Sequence, residues 1–555
     1  MKPLFPVGVV SLLSLLFGSP NKSVFFRDVS SQIGVDFQHD RCATKHKYLV
    51  ETMGSGVALF DFDNDGHLDI YFTNGARLVN PKTNSGNRLY RNLGNGTFAD
   101  VTAVSGTAGT GYGMGVACGD YNNDGWVDLY VVNFGKNVLY RNNGNGTFTD
   151  VTDSSGVGDA RWGSSAAFFD LENDGDLDLY VVNYLEYSLE NPKRCGDENN
   201  RAYCHPSHFP GAPDVLYRNN GDGTFTDISR IAGVDGLKGK GLGIGIWDFD
   251  DDGFLDVYIA NDTEMNLLYH NKGDGSFRDI SLQSGAAFDE NGIAEAGMGV
   301  TIGDYDQDGR ADIFVTNFSG ETNTLYRQEK PLFFRDVTHE AGLALPSLPY
   351  VGFGTCFFDY DADSDLDLFV ANGHILDNLD AYSDSITYAQ PNLLFENHGG
   401  RFVDVSTGSS INREGLFVSR GTALGDLDND GDLDLVVSNS GGRPQILLNE
   451  TPQGNRLMIQ LTGKESNRSA IGTRIRWVVN GRVSQAMVDS SGSYLSAKDP
   501  RIFIGTGPAT ALSRLEVMWP SGKAQAFQSL QTGFLYRLTE GNEIQKTREF
   551  RSARP

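Results

Sequence analysis

Asp61, Asp63, Asp65 and Asp69 place four carboxylates within nine residues around Gly66, which permits a sharp turn. Carboxylates this dense repel one another unless a cation neutralises them, and an all-oxygen ligand set suits a hard divalent ion, Ca²⁺ above any softer metal. The pattern D-x-[DNE]-x-D-[GS]-x-x-D recurs six more times. The second copy offers Asp120, Asn122, Asp124 and Asp128; the third Asp170, Glu172, Asp174 and Asp178; the fourth Asp248, Asp250, Asp252 and Asp256. Asp304, Asp306, Asp308 and Asp312 form the fifth, Asp359, Asp361, Asp363 and Asp367 the sixth, and Asp426, Asp428, Asp430 and Asp434 the seventh. These side chains are the candidate ligands for up to seven Ca²⁺ ions, and the residue at loop position seven, His67 in the first copy, can add its backbone carbonyl.

An EF-hand begins alike but closes with a bidentate Glu at position twelve between two helices. Here position twelve is Phe72, Val131, Val181, Ile259, Val315, Val370 and Val437, all apolar and strand-like, so the ninth-position Asp must close each site. A metal-free acidic turn would explain one copy, since D-G and N-G are ordinary hairpin signals, but not seven copies of unrelieved repulsion. The sites are expected to differ. Asn122 makes the second less negative, and Ser364 replaces the turn glycine of the sixth at a cost of roughly 1 to 2 kcal/mol, so the sixth and then the second should be weakest. With dissociation constants of about 10⁻⁴ to 10⁻³ M, millimolar calcium contributes roughly 0.4 to 1.4 kcal/mol per site, on the order of 3 to 10 in sum.

The elements that must hold these loops are short strands. Each loop lies between two apolar runs, as in Val57-Ala58-Leu59-Phe60 before the first and Leu68 to Phe72 after it. Downstream come a run such as Arg88-Leu89-Tyr90-Arg91-Asn92, an N-G or D-G turn, and Phe98-Ala99-Asp100-Val101. Four strands per repeat, with loop starts 50 to 78 residues apart, match propeller blades rather than a nine-residue calcium-binding β-helix. The last repeat ends at Ile446-Leu447-Leu448-Asn449 without its fourth strand, while an orphan copy, Phe25-Phe26-Arg27-Asp28-Val29, precedes the first loop. The predicted fold is therefore all-β: a seven-bladed β-propeller over 24–449 with calcium-loop hairpins, closed by the N-terminal strand. A small β domain is expected over 455–545, after a linker at Thr451-Pro452-Gln453-Gly454, with a polar tail at 546–555.

The formal charge of −27 is mostly local, because 31 of the 72 acids lie inside the loops and seven Ca²⁺ ions would bring it to about −13. No basic stripe meets the requirement for a nucleic-acid partner. Lys2 and the apolar run Leu4 to Phe17 read as a signal peptide over 1–20, and no later run reaches transmembrane length, so export to a calcium-rich exterior is expected. Cys195 and Cys204 bracket an insertion, roughly Glu186 to Asp214, and are expected to form a disulfide. Reduced, unpaired thiols, or zinc on these cysteines with His205 and His208 at an unusual spacing, are the alternatives. Cys118 and Cys356 read as small buried hydrophobes. N-x-S/T sequons occur at Asn21, Asn95, Asn145, Asn261, Asn317, Asn449 and Asn467, of which Asn95 and Asn145 are also turn residues.

These loops, with the entry strands Gly54 to Val57, Gly113 to Val116 and Gly297 to Val300, resemble the FG-GAP or VCBS repeats of the integrin α-subunit propeller. The resemblance implies that the calcium loops are structural and lie opposite the ligand-binding face. Ser466-Asn467-Arg468-Ser469-Ala470-Ile471-Gly472, Gly492-Ser493-Tyr494 and Trp519-Pro520-Ser521-Gly522 resemble the ASPIC/UnbV domain, and the combination is the layout of the cartilage acidic protein family. That resemblance implies a secreted, calcium-loaded extracellular protein and hands over no catalytic residue, although Arg501-Ile502-Phe503-Ile504-Gly505 stands where an H-F-G-L-G-like run is expected. The expected function is an extracellular binding or adhesion module for a protein or glycan, with no transmembrane span and no catalytic residue. Tyr112, Trp162 and Tyr350 are either candidate anchors on its ligand face or residues packed between blades, and their joint exposure discriminates the two. An extracellular enzyme acting on polysaccharide and a structural surface scaffold are the alternatives; no G-x-S-x-G, H-E-x-x-H or phosphate loop supports the former.

Overall fold

The structure, a computed structural model, describes residues 25–78, 86–190, 192–197, 200–379 and 386–550. The expected signal peptide lies outside these residues. Seven four-stranded antiparallel sheets follow one another from the N-terminal side. The first orders Val57–Phe60, Asp69–Phe72, Arg88–Asn92 and Phe98–Asp100, with Asp61 to Leu68 as the hairpin loop between its two inner strands. In the seventh, Phe26–Asp28 pairs antiparallel with Gln445–Asn449, 417 or more positions away, and supplies the missing outer strand.

The innermost strands touch in a closed cycle, Val57–Phe60 against Tyr112–Gly119 and so on to Ser419–Gly425, which returns to Val57–Phe60. Both faces of each sheet are covered by its neighbours, so the inner strands are apolar without alternation and buried throughout. The repeated Gly-x-Gly has a steric cause: a Cβ at Gly115 would sit 2.3 Å from the Ser164 carbonyl, and one at Gly299 2.0 Å from that of Phe353.

Beyond Asn449 the chain forms two more four-stranded sheets, one around Asn455–Thr462 and one around Arg474–Val479. Thr451 and Gly454 are packed onto the ring, Gly454 donating to the Asp361 carbonyl at 2.8 Å, so the expected linker is docked. The expected polar tail is corrected at its start, since Gln545–Glu549 is an edge strand paired with Phe534–Thr539.

The segment joining Arg482–Met487 to Ile502–Gly507 leaves these sheets and fills the centre of the ring. Ser490 Oγ donates to Phe168 O, Gly492 N to Ile244 O at 3.1 Å, Ser493 N to Val300 O and Asp499 N to Leu424 O at 3.0 Å. Ser493 Oγ accepts from Thr355 N, the Leu495 carbonyl from Val116 N, and Ala497 both donates to Val57 O and accepts from Leu59 N. One segment thus meets the exposed inner edge of all seven innermost strands, whose backbone groups would otherwise face an open channel. At its tip Tyr494 is 0% exposed, edge-on to Phe353 at 5.0 Å, and donates to Met53 O.

Beside Tyr494, the buried Arg420 lies 3.8 Å over the Phe353 ring and donates only to the carbonyls of Thr52, Gly373, Ser419 and His374. Cys195 and Cys204 are bonded, and His205 Nδ1 pairs with Ser207 instead, so the zinc arrangement is not formed. Cys356 is buried and Cys118 half-buried. Asn261, Asn317, Asn449 and Asn467 are buried, whereas Asn95 and Asn145 sit in exposed turns.

Candidate metal centres

All seven loops share one hydrogen-bonding scheme. The first Asp accepts from the backbone N–H groups of loop positions five and six, as Asp61 does from Asp65 and Gly66 at 3.0 and 2.8 Å. Asp120, Asp170, Asp248, Asp304, Asp359 and Asp426 repeat this. The fifth-position Asp accepts from position seven, as in Asp65 with His67, Asp124 with Trp126 and Asp430 with Asp432. These bonds curl the loop so that its carboxylates converge.

The ninth-position Asp is the anchor. Asp69 accepts from Phe62 N at 3.0 Å and from Asn92 N at 2.8 Å, joining the loop to the third strand of its blade. Asp128, Asp178, Asp256, Asp312, Asp367 and Asp434 bond their own loops and third strands alike. Burial pushes Asp69 up to about 8, and Asp61 and Asp120 up to about 6. Asp170, Asp304 and Asp426 are driven to about 7, and Asp248 and Asp256 to about 6, by the same desolvation.

The third-position side chains give the test of metal fit. Asp63 Oδ1, Glu172 Oε2 and Asp250 Oδ1 are buried with no hydrogen-bond partner. They lie beside ligand-type atoms of the same loop: Asp61, Asp63 and Asp69 converge to within 4.8 Å of one another, as do Asp248, Asp250 and Asp256. Asp359, Asp361 and Asp367 form the equivalent group of the sixth loop, while in the fifth it is Asp304, Asp306 and Asp308, positions one, three and five, that converge. A buried, unpaired carboxylate oxygen is costly without a cation, and these groups could hold a metal ion. Asn122 and Asp124 of the second loop bond each other at 2.9 Å. Ser364 adopts φ +92°, keeping the sixth loop in the shape its glycine-bearing counterparts take.

A ring of amides links the loops, and it went unpredicted. Asn142 Nδ2 donates to Phe62 O of the preceding loop and to Val127 O of its own. Asn219, Asn271, Asn397 and Asn449 reach back likewise, Gln328 does so in blade five, and Asn92 donates to Leu427 O, completing the circuit. The signal was present as the Asn that ends every such run but the fifth, where Gln328 stands. His270 occupies the Arg position of that run and lies 3.0 Å from Asp256, within a group with Asp250 and Asp252.

The C-terminal sheets cover the loops. Arg548 donates to Gly66 O, Arg468 N to Asn123 Oδ1, Gln485 to Gly309 O, Ser364 Oγ to Gly505 O and Arg456 to Gly431 O. Arg474 pairs with Asp248 at 3.4 Å and with Asp251, and the Glu465 carbonyl would sit 3.0 Å from a Cβ at Gly175. Arg501, where a histidine-containing run was expected, grips Asp499 and donates to Asp426 O. On the opposite face, the proposed aromatic anchors are not an exposed set: Tyr112 and Trp162 are 3% exposed and Tyr350 is half-buried. Trp162 packs edge-on against Phe134, Tyr184 and Tyr187, because the insertion closes over it.

Residues 61–131, 120–181, 248–315, 304–370 and 359–437 match the FG-GAP-like repeat family, and 463–545 match the ASPIC and UnbV family. The chain belongs to the FG-GAP repeat family. Its FG-GAP portion and C-terminal domain also share the arrangement of cartilage acidic proteins. Cartilage acidic protein 1 of Homo sapiens is 27% identical over 327 residues, 56% of this chain and 45% of that protein. The Mus musculus protein is 26% identical over 327 residues, 56% and 46% of the two chains, so the match spans about half the length of these curated relatives. Similar solved structures include an Agrocybe aegerita lectin described as recognising non-reducing terminal N-acetylglucosamine, at 16% identity and TM-score 0.40 over 70% of this chain and 87% of that one. The BP39L lectin of Burkholderia pseudomallei has 12% identity and TM-score 0.44 over 73% and 98%. Among the described residues, no helix is long and apolar enough to cross a membrane.

Proposed function

We propose that each FG-GAP loop binds one Ca²⁺ and that the ring is a calcium-stiffened binding module of the cell exterior, or of the periplasm or cell surface in a bacterium. The observation that carries this reading is the set of buried, unpartnered third-position oxygens on Asp63, Glu172 and Asp250, beside first- and ninth-position carboxylates already held in place by backbone N–H groups. Arg91 pairs with Asp63 at 2.5 Å and with Asp65 at 2.9 Å in the first loop, and a bound Ca²⁺ supplies the further positive charge that four carboxylates call for. The chain's own residues pre-shape the site, and the ninth-position Asp passes any restraint on the loop to its third strand.

The C-terminal sheets occupy the loop side, which supports the opposite face as the one offered to an extracellular protein or a glycan. The role assigned to the loops is structural rather than catalytic. Chelation with EGTA should lower the thermal unfolding midpoint, with a loss on the order of 3 to 10 kcal/mol if all sites empty. An unchanged midpoint refutes calcium binding, while a screen of the calcium-loaded protein against glycan and extracellular-protein arrays tests the binding role separately.

A further inference from the structure

Loop four draws its positive charge from a different place than loop one does. In blade one the third strand supplies it, where Arg91 pairs with Asp63 and Asp65. Blade four carries His270 at that position, with Nδ1 3.0 Å from Asp256 and 3.9 Å from Asp250. A guanidinium reaches this loop from the C-terminal sheets instead. Arg474, the first residue of Arg474–Val479, lies 3.4 Å from Asp248 and pairs with Asp251 as well. Among the described residues, no other arginine of those sheets pairs with a candidate ligand carboxylate: Arg456 meets Asp432 and Arg476 meets Asp251, at loop positions seven and four.

The sheet, not the loop, holds this charge in place. Arg474–Val479 is a central strand, paired with Arg482–Met487 on one side and with Ala511–Met518 on the other. Asp248 in turn is fixed by the backbone N–H groups of Asp252 and Gly253, at 3.1 and 2.9 Å. With both partners restrained, the guanidinium and an entering divalent ion repel each other across a shared carboxylate. A single charge about 6 Å from a double one changes affinity about tenfold at the dielectric of water, provided salt is low enough not to screen it.

We propose, on the calcium reading of the loops, that Arg474 sets the calcium affinity of the fourth loop, serving Asp248 as counter-charge when the site is empty and opposing Ca²⁺ when it fills. By reciprocity, calcium in this loop weakens the pair that fastens the C-terminal sheets to blade four by the same factor. Calcium occupancy of one blade is thereby coupled to the docking of the other domain.

Calcium titrations of the full chain against a chromophoric chelator in low-salt buffer test this. Arg474→Gln should tighten one site about tenfold, while Arg474→Lys, which keeps the charge, should stay within about threefold of the unaltered chain. In an Asp250→Asn background, which disables the third position of loop four, Arg474→Gln should tighten nothing. Thermal midpoints give a second readout, since Arg474→Gln should lower the midpoint more in EGTA than in saturating calcium. Calcium uptake by the unaltered chain without tightening in Arg474→Gln overturns the proposal and leaves the calcium reading standing. So does equal tightening in Arg474→Lys, tightening that survives Asp250→Asn, or a midpoint loss as large in calcium as in EGTA. No calcium uptake at all overturns both.

Discussion

Replacing Tyr494 by alanine tests whether the segment through the ring is part of the core or a removable insert. The side chain is 0% exposed, its ring lies 5.0 Å from that of Phe353, and its hydroxyl is the donor to Met53 O at 3.0 Å. Deleting a buried aromatic costs about 3 to 5 kcal/mol, the lost ring pair about 0.5 to 1.5, and the unsatisfied carbonyl about 1 to 3. These terms overlap, so about 5 kcal/mol is expected for Tyr494→Ala and about 1 kcal/mol for Tyr494→Phe, which retains the ring. Urea denaturation followed by tryptophan fluorescence and circular dichroism measures both. The ring and the C-terminal sheets should also unfold in one transition, since the segment bonds all seven inner strands. A Tyr494→Ala loss below about 1 kcal/mol, or a C-terminal transition well separated from that of the ring, refutes it.

Asn142→Leu should cost about 3 kcal/mol in the same assay, because the buried carbonyls of Phe62 and Val127 lose their donor. Asn142→Gln should cost less than half of that, since Gln328 makes the equivalent reach in blade five. The two buried histidines should cost stability in mild acid, measured against variants that lack them. Burial lowers His39 to about 3 and His374 to about 4, so both stay neutral in the fold while the unfolded chain takes up protons below about 6.5. The stabilisation they leave intact above pH 6.5 is lost as pH falls, by about 2 kcal/mol per histidine between pH 6.5 and 5. Thermal midpoints across that range, compared with His39→Gln and His374→Gln, check this: the double variant should show a shallower slope.

The loops were legible because their chemistry is local. Asp61, Asp63, Asp65 and Asp69 lie within nine residues, and every internal bond of the loop spans at most seven positions. Repetition made the blades legible as well, and the orphan Phe25 to Val29 run revealed the N-terminal strand that completes the last sheet. The L-Y-R-N asparagines were visible but mute, since an Asn in a strand does not announce that its amide serves the preceding blade.

What the chain alone determined is therefore the repeating unit: an acidic loop between two apolar strands, its turn residues, and the four-strand order of a blade. Tertiary structure alone decided that Leu495 meets Val116, that Arg548 meets Gly66 and that Tyr112 and Trp162 are covered rather than displayed. Such contacts join residues hundreds of positions apart through backbone groups that every residue carries. Side-chain type and spacing encode what a segment can bond within a few residues. They do not encode which distant carbonyl will be left without a partner when the ring closes, and that is what the segment through its centre supplies.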